Sequence, residues 1–279
     1  NSFNRYARYA KKWGAVSTRL NFSHTWEESE TIDTTFRKYS WDGTWMPSSG
    51  NEINNGRKSI RVYKRPLTVF NSGVDYCIDE HNTVALNYML NRSGNKRSDR
   101  YDKLFEPSDD IVTKHILSFT YSQSFFNQRW QNSFFVKDYI NSLSIGQTDD
   151  ASITGSNNID RHNTQSYWGA GIGTRYTIWE TLAIKGSYEH SVRLPLSREL
   201  LGNGTTIYAN LALSPETSNN YNLGFFGTWM VNNDHQLSYE VNGFVRHVQN
   251  YIRATVSERE GMMQYVNEPA IDIKRFDVE

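Results

Sequence analysis

The sequence contains one cysteine in 279 residues, Cys77, so no disulfide can form within the chain. Its neighbours Tyr76 and Ile78 offer nothing that would lower a thiol pKa, and Cys77 reads as a small packing residue, not a nucleophile. Net charge is also missing. Thirty Lys and Arg balance thirty Asp and Glu, leaving no overall field to attract nucleic acid or an anionic surface. No run approaches the roughly 18 apolar residues that a membrane-crossing helix needs. The first residues, Asn1-Ser-Phe-Asn-Arg-Tyr6, lack the apolar core of a signal peptide. With only 6 Pro and 18 Gly, collagen-like and low-complexity classes are excluded.

Catalytic and metal-binding patterns are scarce as well. The seven histidines (His24, His81, His115, His162, His190, His235 and His247) stand at no metal-ligand spacing. There is no His-x-x-Glu-His and no Gly-x-Ser-x-Gly. Glu189 and His190 are adjacent in an alternating stretch, so their side chains leave opposite faces and cannot form a local acid–base pair. Gly169-Ala-Gly-Ile-Gly173 lacks the Lys-Ser/Thr that a phosphate loop requires, and its inward glycines make room in a crowded interior. Asp109-Asp110 and Asp149-Asp150 read as solvated loop tips, not Ca²⁺ sites. The sequence thus predicts no enzyme activity, no metal and no cofactor.

What the sequence has is aromatic residues and alternation. Aromatics make up 14% of a chain that is only 37% hydrophobic. That pairing suits a thin structure with one apolar and one wet surface. A mean hydropathy of −0.68 does not argue against a membrane, because a barrel shows lipid only every second residue of each strand. Leu182, Ile184, Gly186, Tyr188 and Val192 oppose Ala183, Lys185, Ser187, Glu189, Ser191 and Arg193. The same split recurs from Val84, Trp168, Tyr221 and Leu237. Alternation of period two over stretches of about 11 to 14 residues predicts long antiparallel strands exposed on one face.

The connections alternate too. Short turns fall near Asp79–Asn82, Phe125–Gln128, Trp179–Thr181 and Val231–His235. Between them lie long polar stretches near 27–58, 94–110, 144–165 and 194–216. Tight turns at one end and large loops at the other are the rhythm of outer-membrane barrels. Trp168, Tyr176, Trp179, Tyr221, Trp229 and Tyr239 gather at strand ends, as girdle residues do, although strands everywhere favour aromatics.

From Gly186 onward the chain resembles a family. Arg193-Leu-Pro195, followed by Glu199-Leu200, is similar to the Arg-x-Pro and Glu-Leu that open a long outer loop in TonB-dependent receptors. Asn210-Leu-Ala-Leu213-Ser-Pro215-Glu216 resembles the Asn-Pro-x-Leu-x-Pro-Glu that closes it, with Leu211 where the family has Pro. Asn250-Tyr-Ile252 and Tyr265-Val-Asn267 are similar to the strand end and strand start that follow. Val192 and Leu194 depart from the Phe and Ala usual beside the arginine. No histidine lies in 196–209, where haem transporters carry one.

The resemblance implies an all-β fold, a transmembrane antiparallel β-barrel of which residues 1–279 form about half of 22 strands. It implies that the plug domain and the closing strands are not in this chain, so that further strands complete the sheet. It implies import of a scarce nutrient, an iron–siderophore or similar chelate, across a Gram-negative outer membrane. The energy partners would be TonB with ExbB and ExbD, with lipid around the barrel, room for a surface lipoprotein, and no nucleic acid. Passive pores, membrane-barrel enzymes and soluble all-β carbohydrate-binding proteins are the alternatives. The motif residues Arg193, Pro195, Glu199, Leu200, Asn210, Leu213, Pro215 and Glu216 read mainly as architecture. Pro195 ends strand pairing, Pro215 keeps Ser214 extended, and Arg193 can pair with Glu199. Candidate ligand contacts are loop aromatics and arginines, which suit an anionic ferric chelate: Tyr39, Trp41, Trp45, Arg97, Arg100, Tyr101, Arg198 and Tyr208.

Overall fold

The structure, a computed structural model, describes residues 1–33, 38–39, 45–46, 59–100, 108–146, 162–179, 181–203, 206–232, 235–256 and 263–278. It is a single meander of long strands. In order these are β1 (Ser2–Trp13), β2 (Val16–Asp33), the short β3 (Lys38–Tyr39) and β4 (Trp45–Met46), β5 (Ser59–Cys77), β6 (Asn82–Asp99), β7 (Ser108–Phe125) and β8 (Trp130–Ser144). There follow β9 (His162–Trp179), β10 (Leu182–Arg193), the one-turn helix α1 (Ser197–Leu201), β11 (Ile207–Tyr208), β12 (Glu216–Asn232), β13 (His235–Val256) and β14 (Met263–Val278). Twelve strands form one sheet in the order β1-β2-β5-β6-β7-β8-β9-β10-β12-β13-β14-β11; β3 and β4 pair only with each other. Every long pair is antiparallel, while β11 adds a short parallel rung beside β14.

The alternating pattern places a side chain on each face by parity, and the register carries that parity from strand to strand. One face holds cross-strand ion pairs: Arg19–Asp75 at 2.8 Å, Lys137–Glu189 at 2.9 Å and Lys185–Glu240 at 2.5 Å. The other holds the exposed large apolar residues, among them Leu20, Phe22, Leu86, Phe119, Val136, Trp168, Tyr221, Leu223 and Trp229. Exposed Trp and Leu opposite a wall of paired charges is the reverse of a globular sheet, and it fits an interior of water and an exterior of hydrocarbon. The predicted all-β class and the half-barrel with its outward apolar band are what the structure shows.

The strands are longer than alternation suggested, running up to 22 residues in β13. Pairing continues past the apolar band, where polar residues stand on both faces, as in Gly94-Asn-Lys-Arg-Ser-Asp99, and no hydrophobic contrast marks it. In the stretch expected to be a loop at 94–110, residues 94–99 and 108–110 are therefore the ends of β6 and β7, residues 101–107 lying outside the described ones, and β2 carries on to Asp33. The turns near Asp79–Asn82 and Phe125–Gln128 lie where they were expected; those at 179–181 and 231–235 include residues outside the described ones. In the β5–β6 turn the Asp79 carboxylate accepts the Asn82 side-chain amide and the backbone N–H groups of His81 and Asn82, which holds its pKa below the ordinary 3.8.

Candidate functional site

The chain leaves β10 at Arg193 and turns inward instead of out into solvent. Leu194 and Pro195 are buried at the turn. Pro195 has no N–H to continue the ladder, so pairing stops there and the segment is free to cross the lumen. Leu200, Leu201 and Leu213 pack onto Val112 of β7, Leu143 of β8 and Ile252 of β13 in one apolar cluster, and Leu194 joins a second with Tyr139 and Val192. A five-residue helix could not stand alone in water; its burial against the wall stabilises it. At its end Gly202 takes a φ of 65°, and a Cβ there would lie 2.3 Å from the Ile207 carbonyl oxygen. The residue must be glycine for the chain to double back.

Residues 194–203 and 206–215 thus form an inward lid, tied to both sides of the lumen. On one side the Arg65 guanidinium donates to the Asn203 carbonyl at 3.2 Å, the Lys114 ammonium to the Pro195 carbonyl, and Ser93 meets Ser197. On the other, Gln264 donates to the Ala209 carbonyl at 3.0 Å and Asn210 to the Tyr265 carbonyl at 2.8 Å. Asn267 clamps Ser214 twice, accepting its N–H at 2.8 Å and donating to its carbonyl at 3.0 Å. A segment that follows β10 can touch β5 and β14 together only if the sheet is strongly curved.

The base of the lid is electrostatic. Glu199 and Glu216 are each only 4% exposed. Arg193 serves both, at 2.6 Å to Glu199 and 3.6 Å to Glu216, the second within ion-pair reach but too long for a hydrogen bond. Each carboxylate has a backbone donor as well: Leu196 N–H to Glu199 at 2.7 Å and Ile252 N–H to Glu216 at 2.8 Å. Buried carboxylates persist only when paired and hydrogen-bonded, and these are.

All eight motif residues therefore meet around one lid. The candidate ligand contacts do not gather in the same way. Arg198 is exposed on the lid and donates to the Tyr265 hydroxyl at 3.2 Å, while Tyr208 is half-buried in β11. Arg97 sits within β6, not in a loop, 3.5 Å from buried Asp110; Arg100 pairs with Glu30 at 2.5 Å. Tyr39 and Trp45 lie in β3 and β4, but their side chains, like Trp41 and Tyr101 entirely, are outside the described residues. Sequence reasoning missed Lys114, Ser93 and Arg65. Lys114 had a faint signal, an inward lysine between Val112 and Ile116.

Nearer the short turns the inner wall carries a row of small polar residues, Thr83, Ser122, Ser133, Gly173, Ser187 and Asn222, beside an open space of about 700 Å³. At Gly171 a Cβ would meet the Phe135 ring at 2.3 Å, so glycine there lets the ring lie flat against the wall. Among the described residues no group of His, Cys, Asp and Glu is placed to hold a metal.

A family model described as TonB dependent receptor-like, beta-barrel matches residues 1–279. The chain belongs to that family. Its members are outer-membrane transport proteins of Gram-negative cells and not enzymes. No curated protein sequence matches the chain. Among solved structures it is similar to the copper transporter OprC, with a TM-score of 0.68 and 12% identity over 99% of this chain and 42% of that one. It is similar to the FrpB iron transporter from Neisseria meningitidis, with a TM-score of 0.62, 13% identity, and 99% and 40% coverage. It is also similar to the Serratia marcescens hemophore receptor HasR, solved with its hemophore HasA and heme, with a TM-score of 0.52, 12% identity, and 99% and 51% coverage. This TonB-dependent receptor barrel spans about half the length of such proteins or less. At these identities the likeness shows the shared fold alone.

Proposed function

We propose that this chain is part of the barrel of an outer-membrane importer that captures a scarce metal chelate, an iron–siderophore or similar complex, at its outer mouth. The observation that carries the reading is the match of all 279 residues to the receptor barrel family. The wet lumen, the outward apolar band and the anchored lid support it. The long loops would face the cell exterior and the short turns the periplasm. Residues 1–279 would be a barrel segment, with the plug domain elsewhere in the protein, seated against the small-residue wall of the lumen. TonB, with ExbB and ExbD, would act through that plug, and a surface lipoprotein or carrier could sit on the outer mouth. Exposed Arg198 and half-buried Tyr208 on the lid would contact the chelate, with Tyr39, Trp41, Trp45 and Tyr101 as further loop candidates; Arg97 and Arg100, already paired, would have to exchange acids to join.

The test is uptake by cells carrying the intact protein, using labelled ferric hydroxamates, ferric catecholates, haem, cobalamin and copper. Uptake of one of these, lost when TonB is deleted, is the expected result. Uptake at the same rate without TonB would make the protein a passive pore.

A further inference from the structure

Near the outer limit of the apolar band, the outward faces of five neighbouring strands share one polar row. Arg5 of β1, His24 of β2, Thr68 of β5, Arg92 of β6 and Thr113 of β7 stand directly opposite one another in register. One row toward the short turns the same face holds Ala7, Phe22, Phe70 and Leu90, with His115 at its β7 end. One row toward the loops it holds Phe3, Trp26 and Pro66. The polar row is thus a seam between apolar rows.

Arg5 lies over the Phe3 ring at 4.9 Å, and Arg92 is exposed; among the described residues neither meets a carboxylate at ion-pair distance. The neighbouring outward lysines are different. Lys64 reaches Glu28 at 3.7 Å and Lys96 reaches Asp109 at 2.6 Å, so those two acids are already engaged. Between the two guanidiniums the His24 ring nitrogen bonds the Thr68 hydroxyl at 2.9 Å. Three strand spacings separate Arg5 from Arg92, about 14 Å.

We propose that this row docks the phosphate groups of outer-leaflet lipid headgroups. The proposal rests on the outer-membrane reading above. A guanidinium offers a planar fork that phosphate oxygens match two at a time. Hydroxyls and an imidazole beside it add further hydrogen bonds. At the margin of hydrocarbon a fixed cation without an acid is poorly solvated on one side, and the anion available at that depth is the headgroup phosphate. The spacing lets two phosphates be held at once, on one large headgroup or on adjacent lipids. The occupant is identified by charge complementarity: two free cations, no carboxylate, and acyl-chain surface directly below.

The test uses the intact protein in detergent, probed by native mass spectrometry with phosphatidic acid and with diacylglycerol of the same chains. The wild type is expected to retain phosphatidic acid and not diacylglycerol. Replacing Arg5→Gln and Arg92→Gln together should lower retention by about 25-fold, from roughly 1 kcal/mol or fivefold per cation. The Arg5→Lys, Arg92→Lys variant should keep most of it. Equal retention of the two lipids, unchanged retention in the glutamine variant, or displacement by millimolar inorganic phosphate would each overturn the proposal, the last by making this a soluble-anion site. Heat-modifiable migration on gels reports barrel folding for every variant. A folded wild type that retains no phosphate lipid sinks the row alone; a wild type that never shows a folded barrel sinks the membrane reading and the row with it.

Discussion

The two ends of the barrel wall hold charge in different ways. At the mouth that carries the long loops Arg193, Glu199 and Glu216 sit under the lid with both carboxylates nearly inaccessible to water. Toward the short turns Lys185 and Glu240 pair at a closer 2.5 Å, yet their side chains are 43% and 38% exposed. Distance does not rank them; solvent does. Water reaches both charges of the second pair, whereas in the first it reaches Arg193 but neither carboxylate, so the two acids depend on their protein partners. The mouth is therefore a fixed structure, and the lower wall is a wet surface that tolerates change.

Arg193→Ala should have the largest effect, about 3–5 kcal/mol, because it strands two buried carboxylates. Hydrogen exchange across residues 194–215 of the intact protein should show the lid released while strand amides stay protected; an unchanged lid would place the mouth in the same class as the lower wall. Leu200→Ala should follow at about 2–4 kcal/mol, since Leu200 is 2% exposed and the wall beneath it cannot collapse into the space. Thermal unfolding in detergent measures it, and a loss under about 1 kcal/mol would mean that the lid rests on its polar ties alone.

At the other end Lys185→Ala should shift stability by about 1 kcal/mol or less, and added salt should erase even that. A larger loss would break the contrast between the ends. The smallest effect belongs to Asp79. Its carboxyl pKa is lowered in the folded turn, so its contribution is complete above the unfolded value of about 3.9 and fades as pH falls through the folded value. Exchange of the His81 and Asn82 amides should quicken in that acid window and stay flat above it; Asp79→Asn should lose most of the pH step.

The strands from Leu182, Tyr221 and Leu237 were legible because their inner and outer neighbours differ in polarity, and period two marks every such residue. The ends of β2, β6 and β7 were not, since there polar residues stand on both faces and the pattern loses contrast. Arg97 was for that reason assigned to a loop although it stands in a strand. The lid residues were visible as a motif, and the Arg193–Glu199 pair follows from their short separation. Arg65, Ser93 and Lys114 were not visible as its anchors, because they lie between 81 and 138 residues away from the lid atoms they bond. Nor was the row from Arg5 to Thr113, whose members come from five strands and share no spacing.

By itself the sequence determined the class of structure: long antiparallel strands, one wet face, tight turns at one end. These follow from local polarity, which acts between residues two apart and needs no knowledge of the rest of the chain. Only the tertiary structure decided that the segment after β10 turns inward, and which distant strands it binds. It also decided that Arg5 and Arg92 share a row without an acid. Those outcomes depend on the curvature of the sheet and on a register summed over many strands, quantities that no local stretch encodes.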